Sequence, residues 1–189
     1  MQVGTICALI GLVSLGTNCA ESRNERDFPL PAIRDEIEMP RDTEQSLDIA
    51  PAIRDEYEML RDTRQFFDLC SHFPGPLRVA DNVLAWRAIL AHPQADETFK
   101  RLLQSAGIHG QLYGLCGIYF TDPEHIDAAL AAYRASSKQI TGGGDVMVYT
   151  EIRVIARWIG DGSIPVRMRE GRCRTMKEAV DEYQRLNNN

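Results

Sequence analysis

The chain carries little of what most function classes require. No apolar run approaches the twenty or so residues that a membrane-crossing helix needs, and no cysteine pair stands in CxxC or Cys/His zinc spacing, so a structural metal site has no sequence support. There is no Lys-Ser/Thr P-loop signature and no six-residue dinucleotide fingerprint, which leaves nucleotide and dinucleotide cofactors without a motif. Strand signals are scarce. A formal charge of −6 is modest and acidic, which argues against a protein that wraps nucleic-acid phosphates; no nucleic-acid partner and no cofactor are expected.

What is present is ordinary for a globular fold: 189 residues, 44% hydrophobic and 25% charged, within the range of one domain plus appendages. The first segment, MQVGTICALIGLVSLGTNCAES, holds about ten apolar residues from Ile6 to Leu15, followed by small and polar residues and then charge. That is the length of a signal-peptide core rather than of a membrane span. The run, Leu15, small residues and then Cys19 resemble a bacterial lipoprotein signal over residues 1–19. The resemblance implies cleavage before Cys19, lipidation of Cys19, and a membrane partner through that anchor. Ala20 after the cysteine implies sorting to an outer membrane, and hence a cell-envelope location. Asn18 stands where that signal has a small residue, and no Lys or Arg precedes Arg23. A plain secretory signal and a cytoplasmic protein remain open.

Residues 20–51 read as an acidic flexible linker. From Glu21 to Ala50 nine acids stand against four arginines, with three prolines, a composition unable to bury enough apolar surface to fold. The segment also holds one copy of a tandem duplication. PAIRDEIEMPRDTEQSLD from Pro31 is echoed by PAIRDEYEMLRDTRQFFD from Pro51, with thirteen of eighteen positions identical. Two copies are too few for a repeat array with a shared core. Pro40 in place of Leu60, and Ser46-Leu47 in place of Phe66-Phe67, break the helix and strip its apolar face in the first copy. The second predicts a helix from about Ala52 to Cys70 with Ile53, Tyr57, Leu60, Phe67 and Cys70 on one side.

From residue 52 to 187 the pattern predicts an all-α (mainly α) domain, an antiparallel helical stack. One helix carries Leu77, Val83 or Leu84, Trp86, Ile89 and Leu90. The next runs from Pro93 to a stop at Gly107 with Phe99, Leu102 and Leu103 inward. A third spans about His109 to Phe120. A fourth starts at Thr121 or Asp122 with Pro123 in its first turn, and buries Ile126, Leu130 and Tyr133. A glycine-rich joint around Gly142–Gly144 precedes a helix capped by Asp145 with Val148, Ile152, Ile155 and Ile159, and a Thr175/Glu178 capping box opens the last helix. The rhythm W-x-x-I-L, F-x-x-L-L, G-Q-L-Y-G-L-C-G-I-Y, D-P-E over residues 76–136 resembles an α-solenoid of HEAT or armadillo type. It also looks like an uncharacterised family of secreted bacterial proteins. That likeness implies a binding surface rather than catalysis.

Three stretches carry candidate chemistry. Ser105–His125 gathers Cys116, His109, His125, Asp122 and Glu124. A nucleophilic Cys116 needs a base and some exposure, and the alternative function is a cysteine-dependent hydrolase or transferase using Cys116 with His109 or His125. The competing reading is packing: Gly110, Gly114 and Gly117 recur every three or four residues, and glycine costs a helix about 1 kcal/mol against alanine, a cost offset where a neighbouring helix approaches closely. Second, Arg167, Arg169, Arg172, Arg174 and Lys177 form a basic run able to meet anionic lipid, nucleic acid or the acidic linker; its other reading is a solvated loop. Third, once Cys7 leaves with the signal and Cys19 carries lipid, Cys70, Cys116 and Cys173 allow one disulfide and one leftover thiol, and spacing leaves all three pairings open. The function so expected is a non-enzymatic, lipid-tethered helical interaction module of the cell envelope, whose partner is an unknown protein or envelope component.

Overall fold

The computed structural model describes residues 49–64, 69–70, 79–142, 148–169 and 172–187. The signal segment with Cys19, the first copy of the duplication and the linker up to residue 48 therefore lie outside the described residues, whereas the last three residues read as linker are part of the fold: Ile49 is buried in the core and Pro51 opens the first turn. Phe66, Phe67, Leu77, Gly143, Gly144 and Asp145 also lie outside the described residues. The described chain is mainly helical. A 3-10 turn, Pro51–Ile53, leads into α1, Arg54–Arg61; then come α2, Asp81–Leu90; α3, Ala95–Ser105; α4, Ile108–Thr121; and α5, Ile126–Arg134. The antiparallel strands β1, Gln139–Gly142, and β2, Val148–Glu151, form a hairpin before α6, Ile152–Gly160. Two-residue strands β3, Pro165–Val166, and β4, Arg174–Thr175, pair antiparallel ahead of α7, Met176–Asn187.

The fold is organised around α4. Its sequence is mostly apolar all the way round, and 12 of its 14 residues are buried, His109 and Gln111 among them. A helix without a polar face must be covered on all sides. The first cover is α3, which offers Phe99, Leu102 and Leu103 and runs back along α4 as an antiparallel hairpin through Ala106 and Gly107. The glycines of α4 set the spacing. A Cβ on Gly114 would lie 2.9 Å from the Phe99 carbonyl oxygen, one on Gly117 would fall within the Phe99 ring, and one on Gly110 would lie 2.5 Å from the Leu60 carbonyl oxygen. The glycine interval read from sequence is thus a contact surface for α3 and for the end of α1.

The remaining elements close the other sides. From α2, Trp86 is fully buried, donates its indole N–H to the Tyr113 carbonyl of α4 at 3.2 Å, and meets Phe120 edge-on at 5.6 Å between ring centroids. From α5, the Tyr133 hydroxyl donates to Gln111 Oε1 at 3.0 Å, so two polar groups inside the core satisfy each other. The Tyr57 hydroxyl of α1 and Ser105 Oγ share a 2.6 Å bond. Helix α6 pairs with α5 and ends in a Schellman motif: Gly162 at φ 71° donates its N–H to Ile159 O, and Ser163 donates to Trp158 O. A side chain at Gly162 would also strike the Tyr119 hydroxyl. Helix α7 docks through Tyr183 against Phe120.

The mainly helical content is as expected, and within it α4 touches α1, α2, α3, α5 and α6. Several expectations change. The helix expected through Cys70 ends at Arg61: the Asp62 N–H closes the last turn on Glu58 O, and the Asp62 carboxylate is taken by Arg61 at 3.0 Å. Helix α5 begins at Ile126 rather than after Thr121 or Asp122, because Thr121 Oγ1 bonds back to Gly117 O and the Asp122 carboxylate is held elsewhere. Val148 lies in a strand instead of a helix; Ile152, Ile155 and Ile159 are helical and buried as expected.

Replacing Gly117 by alanine should lower the unfolding free energy by about 1 to 3 kcal/mol through overpacking against Phe99, in spite of alanine's advantage in a helix. Gly107→Ser, at the open N-cap of α4 with nothing within 4 Å, should change it by less than about 0.5 kcal/mol, and upward. Urea denaturation of the two variants checks both.

Candidate functional site

The cysteine of the Ser105–His125 stretch is sealed. Cys116 is 0% exposed and unpaired, and burial alone pushes its thiol well above the ordinary range. A nucleophilic thiolate needs the opposite: access for substrate and a nearby charge that favours ionisation. His109 is buried in the first turn of α4. His125 stands in the turn between α4 and α5 with 41% of its side chain exposed. The two candidate bases therefore occupy different environments, and the exposed one faces solvent while the sulfur does not.

What the structure does bring together is a polar cluster at the open end of the α3–α4 hairpin. His125 Nδ1 and Asp122 Oδ1 are 2.6 Å apart. The Lys100 ammonium, one turn into α3, donates to Asp122 Oδ2 at 2.7 Å and to Asp96 Oδ2 at 2.8 Å, and Thr121 Oγ1, whose one proton is shared with the Gly117 carbonyl, lies 3.3 Å from Asp96 Oδ1. Burial pushes the Asp122 carboxyl up, but the hydrogen bonds from Lys100 and His125 outweigh it and hold it below the usual carboxylate range. At Lys100 desolvation lowers the ammonium, but its hydrogen bonds to Asp122 and Asp96 outweigh this and raise it. A carboxylate that orients a histidine is half of a catalytic arrangement, but here its second oxygen is committed to a lysine that ties two helices. The chemistry available is that of a clasp. Glu124 is exposed in the same turn.

The basic run divides. Arg167 is not a surface residue: it is 5% exposed, its backbone N–H donates to Leu69 O at 3.0 Å, and its guanidinium reaches the Cys70 carbonyl at 3.4 Å. It belongs to the interior because β3 runs beside Leu69, which turns the side chain inward. Arg169, Arg172, Arg174 and Lys177 are exposed. Arg169 and Arg174 lie 3.7 and 3.4 Å from Glu182 of α7, which neutralises part of the patch. The capping box forms as read: Glu178 Oε2 accepts from the Thr175 N–H at 2.9 Å, and the Glu178 N–H donates to Thr175 Oγ1 at 3.3 Å.

Cys70 and Cys173 form the disulfide, with Cα atoms 5.8 Å apart across a separation of 103 residues. Cys116 is the leftover thiol. The involvement of Arg167 with this disulfide is the feature that sequence reasoning missed; the one available signal was Cys173 lying inside the basic run. Among the described residues no group of His, Cys, Asp or Glu is arranged to hold a metal ion, and no helix is long and apolar enough to cross a membrane. No family model, curated protein or solved structure matches the chain.

Two outcomes test this geometry. In the folded, reduced protein, Cys116 should react slowly with iodoacetamide at neutral pH and quickly only after unfolding, and Cys116→Ser should cost about 1 to 3 kcal/mol through a buried hydroxyl. Fast native labelling, lost in His109→Ala or His125→Ala, would restore Cys116 as a nucleophile. At the clasp, the folded Asp122 carboxyl sits below its unfolded value near 3.9. Its stabilisation is therefore present above about pH 4 and is lost as pH falls through the lower folded value. Asp122→Asn should cost about 1 kcal/mol at pH 6, and the gap from the parent should close toward pH 2 in urea titrations.

Proposed function

We propose that the chain is an exported envelope protein, lipid-anchored at Cys19, whose helical domain is a binding module rather than an enzyme. The observation that carries this reading is the Cys70–Cys173 disulfide. Cytosolic proteins of ordinary organisms keep their thiols reduced, whereas exported domains keep such bridges. A disulfide together with a short apolar run and a following cysteine is consistent with an exported, signal-bearing protein.

The rest of the chain supports the same reading. The acidic composition of residues 20–48 suits a tether that extends by like-charge repulsion and holds the domain off the membrane surface. The sealing of Cys116 supports binding over thiol catalysis. The exposed Arg169, Arg172, Arg174 and Lys177, which sit beside the β3–β4 hairpin and the start of α7, are the residues proposed to meet the partner, a protein or an envelope component.

Expression in a bacterium supplied with labelled fatty acid tests the anchor. Label should appear on the chain, and Cys19→Ala should abolish it and release the protein into a soluble fraction. Unlabelled, unprocessed protein with Cys70 and Cys173 reduced would overturn both the anchor and the export reading.

A further inference from the structure

Arg167 places a buried guanidinium beside the Cys70–Cys173 bridge. It is 95% buried, and its Nη2 lies 3.6 Å from Cys173 Sγ and 3.4 Å from the Cys70 carbonyl oxygen. A carbonyl dipole gains from a guanidinium, but a neutral disulfide sulfur gains little. The same sulfur as a thiolate gains a great deal, because a full cation at that distance inside the protein favours the charged form of a thiol. Both cysteines are half-buried rather than sealed, which is the exposure that attack by a small thiol needs. The cationic side chains next to Cys173 in sequence, Arg172 and Arg174, are exposed, and Arg174 is engaged by Glu182; among the described residues Arg167 is the buried cation within reach of the sulfur.

We propose that Cys70–Cys173 is an exchange-competent disulfide, in which Arg167 holds Cys173 as the leaving thiolate and Cys70 is the site that takes up a small anionic thiol of the glutathione class. The thiolate of the incoming thiol attacks Cys70 Sγ, a new S–S bond forms there, and the Cys70–Cys173 bond breaks with its electron pair on Cys173, which remains as a thiolate beside the guanidinium. A second thiol attacks the sulfur of the first thiol in the mixed disulfide, leaves as the oxidised disulfide, and releases Cys70, which takes a proton from water. Two electrons pass from two external thiols to the protein disulfide. The Leu69–Val166 bridge, the Arg167 N–H to Leu69 O bond and the packing of Tyr183 on Phe120 do not involve the sulfurs, so these contacts do not depend on the bond. The event is local to the junction that precedes the exposed basic residues.

Because the chemistry is intrinsic to the folded domain, its test stands apart from export and from the lipid anchor. The full chain is equilibrated in glutathione buffers of graded ratio, acid-quenched, and followed peptide by peptide by mass spectrometry. Arg167→Gln should make the Cys70–Cys173 bridge about tenfold harder to reduce, about 30 mV for this two-electron couple, whereas Arg167→Lys should stay close to the parent. Quenched intermediates should carry glutathione on Cys70. In the reduced parent, Cys173 should alkylate faster than Cys70 at about pH 6 to 7, where a free thiol of pKa near 8.5 is largely protonated. An unchanged equilibrium in Arg167→Gln, or glutathione mainly on Cys173, would overturn the proposal. Should Arg167→Gln fail to fold, the parent alone decides: Cys173 reacting at that pH no faster than in the unfolded chain overturns it equally.

Discussion

The close approach of α3 to α4 across Gly114 and Gly117 is the contact on which the rest of this structure depends. With no side chain at either glycine, the Phe99 ring and its backbone settle directly on α4. That distance lets Leu102 and Leu103 reach the core and brings the Asp96 end of α3 beside Asp122. The hairpin supplies one wall for a helix that has no polar face, and the need to cover its other sides recruits Trp86 from α2, the end of α1, and Tyr133 from α5. Glycine's helical cost is offset by these contacts. The same logic accounts for Cys116: in a helix covered all round, a small apolar-tolerant residue serves as filling.

A second constraint acts at the opposite end of the sequence. The junction between α6 and α7 has only two-residue strands to order it, too short to hold by backbone pairing alone. It is fixed instead by the Schellman turn at Gly162, the capping box at Thr175 and the bridge from Cys173 to Cys70. A disulfide over such a span removes a large share of unfolded-chain entropy, about 4 to 5 kcal/mol in the chain-entropy description. The helical core and the disulfide-braced junction are thus separable parts. One is stabilised by apolar burial, and the other by a covalent bond whose chemistry responds to its surroundings. The binding face proposed for the basic residues sits on the second.

The parts legible in the sequence were those governed by local periodicity and caps. Phe99, Leu102 and Leu103, the extent of α4, the buried face of α6 and the Thr175/Glu178 box could be read because each depends on residues within a turn or two. The β1–β2 hairpin was not, since Val148, Ile152, Ile155 and Ile159 share helical spacing and each strand is only four residues long. The start of α5 was misplaced because Asp122, a good N-cap by type, is claimed by Lys100 and His125 from other positions. Arg167 looked like surface charge for the same reason: its burial follows from β3 lying beside Leu69, a pairing across nearly a hundred residues that no local pattern records. The cysteine pairing was open in the sequence and is decided only by where the chain brings Cys70 and Cys173.

If α4 is the element that all others cover, its amides open only when the whole domain does. Native-state hydrogen exchange of the oxidised protein measures this directly. The slowest amides should be those of Leu112 to Ile118, with exchange free energies equal to the global unfolding free energy from urea denaturation, and α5, α6 and α7 should open at lower cost. Exchange in α4 through a sub-global opening, ahead of α5 and α6, would contradict the account.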